Sequence, residues 1–481
     1  MSSTHPQPIG WRSHGLLFVL AMMYADNFVG RQIIAVMIEP LKQEFGASDT
    51  AMGLVSGLAF AAVYVLLGLP AGRLADRLSR TRLLAITCSL WALATVACGL
   101  STSFAMLVIA RMAVAVFESP STSTSMSIIA DIYPPHRRSF AISCYTAAPT
   151  FSTIVALSAG AWVVDQYGWR SAFFAVALPS LLISAVFAFV MRDPVRGRFD
   201  LPHSHASQAA PPIQSLLGSA RALMAQPAYR CLVLACGITT FSAYAFAMWN
   251  ASFLVRSHDL PLHYAGLLAG LVGGTFAGLG ALFSGWLTDR LVIRSQQWQI
   301  GIPLIGHVVG NCALVIYLLW PRDILLHAGP VPVPSAMLWC ALGSFFSVWW
   351  VGPCFSLLTQ LVPAHRRATA VALQTIISTL CGVGIGPLAT GLLSDVLMPL
   401  LGDESLRYAL LLVSLTIVIP IVLLWRTYQH LAAPFAAFCL CLKPEHWRRI
   451  ADQLVETDDP PAHSLRYRHC QTPAAPRSQY Q

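Results

Sequence analysis

Gly72-Arg73-Leu74-Ala75-Asp76-Arg77-Leu78-Ser79-Arg80-Thr81-Arg82 sets one carboxylate among four arginines. It follows one long apolar run and precedes another, so it reads as a short loop at a membrane face. Gly285-Trp286-Leu287-Thr288-Asp289-Arg290 repeats the device between two later apolar runs. A charged loop that recurs in a matching position implies a chain built from two related halves. Two more pairs follow in the same order. Pro134-Pro135-His136-Arg137-Arg138 matches Pro363-Ala364-His365-Arg366-Arg367, and Gly168-Trp169-Arg170-Ser171-Ala172 loosely matches Ser405-Leu406-Arg407-Tyr408-Ala409. The offsets are 213, 229 and 237 residues.

Composition fixes the solvent. The chain has 481 residues, 56% hydrophobic and 11% charged, with a mean hydropathy of +0.63. Soluble domains carry about 25% charged residues, so this is a polytopic membrane protein. The net charge of +9 lies in loops between apolar runs and follows topology, which argues against nucleic acid as a partner. Twelve cysteines show no CxxC pair and no Cys/His ligand spacing, so they read as buried thiols. No metal and no soluble cofactor is expected. None of the fourteen histidines begins an HxxxxD pattern, HExxH and GxSxG are missing, and Gly382–Gly386 follows no strand. An enzyme is therefore not expected. The first apolar run, from Leu16, is too long for a signal peptide and reads as a retained helix.

Runs of about 20 apolar residues, the length that crosses a bilayer, fall near 16–38, 51–72, 83–101, 104–131, 139–164 and 171–191. After a polar, proline-containing stretch they resume near 228–255, 262–288, 300–320, 334–361, 368–400 and 406–427. The expected fold is all-α: twelve transmembrane helices in two pseudo-symmetric six-helix bundles. Its parts are a first bundle over 1–191, a flexible linker over 192–227 with no packed element, a second bundle over 228–428, and a tail over 429–481. In the tail an amphipathic stretch, 433–454, is expected to lie on the membrane surface. Of the lysines and arginines, 23 fall in segments on the side of the termini and 5 on the other, with Arg31 and Arg111 inside the membrane. The bias places both termini in the cytoplasm.

The charged loops resemble the signature loop of the major facilitator superfamily, and the resemblance runs from Leu16 to Tyr428. Within it the chain is most similar to spinster-type lipid transporters and their bacterial relatives, which implies a bacterial inner membrane. The residues behind this are Asn27-Phe28-Val29-Gly30-Arg31 with Glu39-Pro40, Arg111 with Glu118, Trp249 with Phe253 and Arg256-Ser257-His258, and Gly384-Ile385-Gly386-Pro387 with Gly391. Spinster-like sequences usually carry Asp immediately before the Arg of the first motif. Here that position is Gly30, and a carboxylate stands one turn earlier at Asp26.

Ionisable groups inside a bilayer are functional candidates by default. The first half offers Asp26, Arg31, Arg111 and Glu118, with Arg111 and Glu118 two turns apart on one helix face. Arg31 and Arg111 lie roughly 10 Å deep, and Asp26 and Glu118 lie nearer the midplane. The resemblance implies that the first and fourth spans line a central cavity, bringing these four together with Asn27. The second half supplies aromatic groups instead, of which Tyr244 and Trp249 are expected to face the cavity. His307 stands alone and reads as a core histidine. At the inner face, a carboxylate set on a helix start latches the halves. Asp76 is expected by the start of the eleventh span near Arg367 and Thr369, and Asp289 by the start of the fifth near Arg138 and Ser139. Gly72, Arg77, Arg80, Gly285 and Arg290 complete this gate.

The function expected is secondary active transport by alternating access, proton-coupled at Glu118 or Asp26, by a monomer. The solute is expected to be amphiphilic or lipid-like. A small aromatic carboxylate or drug-like organic ion is the alternative. A passive channel or receptor would not need the doubled loops.

Overall fold

A computed structural model of the protein describes residues 11–196, 216–362 and 367–441. Within its helices the side chains of 69, 71–77, 135–140, 216, 217, 219, 368 and 430–441 lie outside that description. A backbone in hydrocarbon must satisfy its polar groups internally, and the apolar runs accordingly form helices. The first span comprises Trp11–Gln32 and Ile34–Phe45, and the second runs over 49–77. The third is Arg80–Gly99 and the fourth Phe104–Ile132. The fifth and sixth share Pro135–Phe189 and divide at Gly168, whose φ of 80° only glycine adopts without strain. After the linker come Pro227–His258, Leu262–Val292, Trp298–Leu319 and Ala336–Leu361. The eleventh span covers 367–401, and the twelfth comprises Ser405–Leu415 and Val418–Cys441. The expected surface helix over 433–454 falls largely outside the described residues.

Two features depart from the sequence reading. The stretch expected to be a structureless linker contains a helix, Leu216–Ala225, with Leu223 buried. Its prolines at 194, 202, 211 and 212 precede this stretch and Pro227 follows it, which leaves Leu-Leu-Gly-Ser-Ala-Arg-Ala-Leu-Met-Ala free to wind. Between the ninth and tenth spans, Ile324–Ala328 and Val331–Pro334 pair as an antiparallel hairpin that turns at Gly329 (φ 65°).

The end of the bundle bearing the linker is termed here the linker side, and the opposite end the far side. On the far side the two halves are in contact along two seams. In one, spans two and eleven meet backbone to backbone: a Cβ on Gly53 would lie 2.6 Å from Leu388 Cα, and one on Gly57 would lie 2.8 Å from Gly384 O. In the other, Gly266, Gly270 and Gly274 of the eighth span lie against Leu157, Ser158 and Ile154 of the fifth. Spans two and eight both carry a π-type turn at the seam, Leu54–Leu58 and Ala269–Gly274. One buried apolar core joins the halves there, including Ile34, Val36 and Met37 with Phe253, Leu254 and Ala265. A second core, built around Leu20, Trp91, Ile128 and Phe187, draws on the first half alone. Gly391 touches the backbone of Asp49 and Thr50 so closely that a side chain has no room. Gly391→Val is therefore expected to wedge the seam and raise far-side cysteine accessibility, whereas unchanged labelling would place the closure elsewhere.

Candidate functional site

The first span carries its charges on two faces. Arg31 and Glu118 form a buried ion pair: Arg31 Nε donates to Glu118 Oε1 at 2.6 Å, and Nη2 contacts the same oxygen. Three rings surround the guanidinium, with centroids 5.1 Å (Phe28), 5.0 Å (Phe60) and 4.6 Å (Tyr64) from its carbon. Such faces attract a cation and shield it from lipid. Arg111 is 3% exposed and donates from Nη1 to Gly30 O at 3.1 Å, but its Nε has no partner. A buried guanidinium donor left unpaired costs free energy that a bound acceptor would recover. Asn27 sits beside them, its amide nitrogen 3.4 Å from Ser121 Oγ and its Oδ1 without a partner.

Of these groups Arg31 and Arg111 line a cavity between the halves; Glu118 and Asn27 are not part of its lining. Phe28, Arg31, Phe60 and Arg111 line it from the first half, and Tyr244 and Val383 from the second. Its enclosed volume is about 10 Å³, room for roughly one water molecule, so the two walls lie close together in this conformation. The wall from the first half is charged and aromatic. That from the second is apolar apart from the Tyr244 hydroxyl.

Two expected site residues lie elsewhere. Asp26 turns away from the cavity: its carboxylate accepts from Ser180 Oγ of the sixth span, which itself accepts from Trp91 Nε1 at 2.9 Å. A Cβ on Gly30 would meet Val176 of the same sixth span, so Asp26 does share the face of Gly30. That face points into the first bundle, and the structure does not bring Asp26 to the Arg31–Glu118 pair. Trp249 is fully buried and donates from Nε1 to Pro387 O at 3.0 Å, tying spans seven and eleven together. It packs instead of facing the cavity, because at the seam a buried indole must find an acceptor. His307 is buried against Thr239 Oγ1 at 3.2 Å, as a core histidine.

Of the expected gate, the side chains of Gly72, Asp76, Arg77, Arg138 and Ser139 lie outside the described residues. Arg80 does not reach across the halves. It braces its own: it binds Asp131 and Asp193, and donates to Ser127 Oγ at 3.0 Å and Pro194 O at 2.8 Å. Arg367 Nε donates to Thr359 O of the tenth span at 2.9 Å. Asp289 is exposed, as is Arg290, whose guanidinium lies 4.6 Å from the Trp286 ring; a Cβ on Gly285 would meet open space. Among the described residues, the polar contacts between halves lie on the far side.

Those far-side contacts were not read from the sequence. Asp49, at the start of the second span, is fully buried and receives Arg256 Nη1 and Nη2 at 2.8 Å each, Lys42 Nζ at 2.5 Å and Ser394 Oγ at 2.7 Å. Arg256 Nε also donates to Glu39 Oε1 at 2.9 Å. Asp395 of the eleventh span accepts from the backbone N–H groups of Asp49 (2.9 Å) and Thr50 (2.7 Å) and from Thr50 Oγ1 (2.6 Å). Asp49 and its main partner are 207 residues apart, so no local pattern could pair them. The Arg31 cage had a signal: Phe60 and Tyr64 stand four apart on one face of the second span.

Two helical bundles closed against each other over a charged central cavity define a membrane transporter of alternating lobes, and comparison with known proteins agrees. Residues 20–387 match the Major Facilitator Superfamily, and the chain belongs to it. An MFS-type efflux pump of Mycolicibacterium smegmatis is 29% identical over 402 residues, covering 83% of this chain and 89% of that protein. Protein spinster homolog 1 of Xenopus tropicalis is 26% identical over 422 residues, covering 83% and 78%. A solved bacterial homolog of the human lysosomal transporter Spinster, inward-facing and unoccupied, superposes with a TM-score of 0.75 at 24% identity, covering 89% of this chain and 98% of that one. The protein is a major facilitator transporter of spinster type, not an enzyme.

Proposed function

We propose that this transporter carries an amphiphilic organic solute together with a proton, by alternating access about the cavity lined by Arg31 and Arg111. One observation carries the reading: Arg31 is paired with Glu118, while Arg111, on the same cavity wall, keeps a buried donor without a partner. An anionic or zwitterionic head supplies the missing acceptor. A proton taken up by Glu118 neutralises the partner of Arg31 and frees that guanidinium for the same head, so anion and proton favour each other's binding. When the proton leaves Glu118, the ion pair re-forms and the head is displaced. Asp26, held by Ser180 within the first bundle, is the rival proton site.

The apolar wall accounts for the tail. A uniformly polar solute needs hydrogen-bonding groups on both sides of its site, and the second half offers few. A tail of ten methylenes buried at about 0.8 kcal/mol each would contribute roughly 8 kcal/mol. The positive bias of the linker side, 23 basic residues against 5, supports placing that side and both termini in the cytoplasm. The far-side closure then shuts the face away from the cytoplasm, in a protein acting as a monomer in a bacterial inner membrane.

Some relatives are named for short acids, among them a niacin transporter of Acinetobacter baylyi at 23% identity. A short aromatic carboxylate is therefore the second reading. Chain length separates them. Affinity for lysolipids is expected to rise about fourfold per added methylene, the equivalent of 0.8 kcal/mol. Tight binding of a short aromatic acid, with none for lysolipids, would replace the amphiphile by the acid.

A further inference from the structure

The hairpin between spans nine and ten is positioned by the span before it. Trp298–Leu319 has 22 residues, roughly 33 Å at 1.5 Å each, which matches a hydrocarbon core of about 30 Å. A tryptophan stands at each end, Trp298 and Trp320. Trp320 lies 5.6 Å from Trp339 of span ten, ring centre to ring centre. Paired indoles at the end of a span mark the headgroup level. Ile324 follows Trp320 by four residues, so the hairpin starts at that boundary on the far side. Its base is fixed there: Trp320 Nε1 donates to Ser335 Oγ at 2.6 Å, and Ser335 Oγ donates to Asp323.

The two strands differ. The second, with Val331 and Val333, packs on the apolar core beside the start of span eight. The first faces outward: Ile324, Leu325 and Leu326 are 55%, 49% and 50% exposed. No Asp, Glu, Lys or Arg occurs from Ile324 to Pro334. Three large apolar side chains in a row are costly to leave in water, and an exposed patch of this kind marks a contact surface. What covers it follows from its neighbours. The exposed faces of the flanking spans run up to the base of the hairpin, with Val308 and Leu319 on span nine and Leu342 and Leu338 on span ten. In a bundle that crosses a bilayer these faces meet lipid, and the apolar strand continues them. A second copy adding its own strand would need a regular edge. The pairing instead shifts register between Ile324 and Leu326, and such a bulge spoils the edge for a partner.

We infer that Ile324-Leu325-Leu326 lies in the headgroup–acyl boundary of the far-side leaflet, a lipid contact of the second half held by apolar burial and not by headgroup charge. The charged groups beside it already have protein partners: Arg322 binds Asp259 and, at 3.1 Å, Glu404, and Asp323 accepts from Ser335. His327 stands beyond it, toward the turn at Gly329. The strand goes no deeper than the boundary, because the N–H and C=O groups on its open edge must still reach water. The contact is independent of which solute is carried.

The test places an environment-sensitive fluorescent amino acid at position 325 by codon suppression, which leaves the twelve cysteines in place. The full chain is reconstituted in vesicles of phosphatidylethanolamine and phosphatidylglycerol, with iodide on both sides as the aqueous quencher. Asp403, exposed before span twelve, is the aqueous reference position, and Leu338 the lipid reference. A lipid carrying a nitroxide near its acyl carbonyl is expected to quench emission at 325 as strongly as at 338, and iodide to quench it little. Exchanging phosphatidylglycerol for phosphatidylcholine should change neither. Circular dichroism and melting check that each labelled chain is folded, and position 326 stands in if the chain labelled at 325 is not. Iodide quenching equal to that at 403 would put the strand in water and overturn the inference, as would lipid quenching that requires phosphatidylglycerol. Shielding from both quenchers that disappears on dilution with lipid would put a second copy there and overturn it too.

Discussion

Glu118→Gln is expected to exchange solute across the membrane but no longer to accumulate it when a pH gradient is imposed, with the accumulation ratio falling to unity. The amide keeps Oε1, which accepts from Arg31 Nε at 2.6 Å, and keeps the volume that fills this buried position. It loses the one property that coupling needs, a proton bound in one state and released in the other. Glu118→Ala behaves differently, because it strands a buried guanidinium. Removing one partner of a buried pair costs about 3–5 kcal/mol, read as a lower melting temperature, although the three rings around Arg31 soften the loss. An undiminished pH response in Glu118→Gln would move the proton to Asp26.

Arg111→Gln is expected to lower affinity for anionic and zwitterionic heads by about 10- to 100-fold, the equivalent of roughly 1.5–3 kcal/mol for a hydrogen bond to a charged group. The glutamine amide can still donate toward Gly30 O, so the first and fourth spans stay joined while the spare charge is gone. An uncharged analogue with the same tail, such as a monoacylglycerol, should bind the variant and the parent alike. Equal losses for both would show that Arg111 supports the helices and does not meet the head. Fluorescent displacement titrations with the two analogues decide this.

The fold was legible because the bilayer imposes it. Once charge is confined to loops, apolar runs of the required length can only be helices, and the repeated loops divide them into halves. Even the outer turn at Gly168 stood out, between two runs and before Trp169-Arg170. The helix Leu216–Ala225 was hidden by prolines upstream of it, and the hairpin 324–334 by its small size. The cavity was legible in part. Arg31, Arg111 and Glu118 advertise themselves, since charges are rare in apolar runs, but which face each one uses depends on helix rotation. Asp26 and Gly30 share a face as their spacing requires, yet that face looks toward the sixth span. Trp249 fails for a related reason: an aromatic residue inside a span is as well suited to a seam as to a cavity. The far-side network around Asp49 and Arg256 was the least legible. Its members lie at span ends, where charge is ordinary, and only the packing of two halves makes them partners.

If the proposed mechanism holds, a proton and an amphiphilic solute move together through the cavity. The most direct measurement uses purified protein in liposomes with a fluorescent lysolipid and an imposed pH gradient. Accumulation on the alkaline side is expected, abolished by a protonophore and by Glu118→Gln, with exchange retained in that variant. Lysolipid movement unaffected by the protonophore, or no movement while a short aromatic acid accumulates under the same gradient, would contradict it.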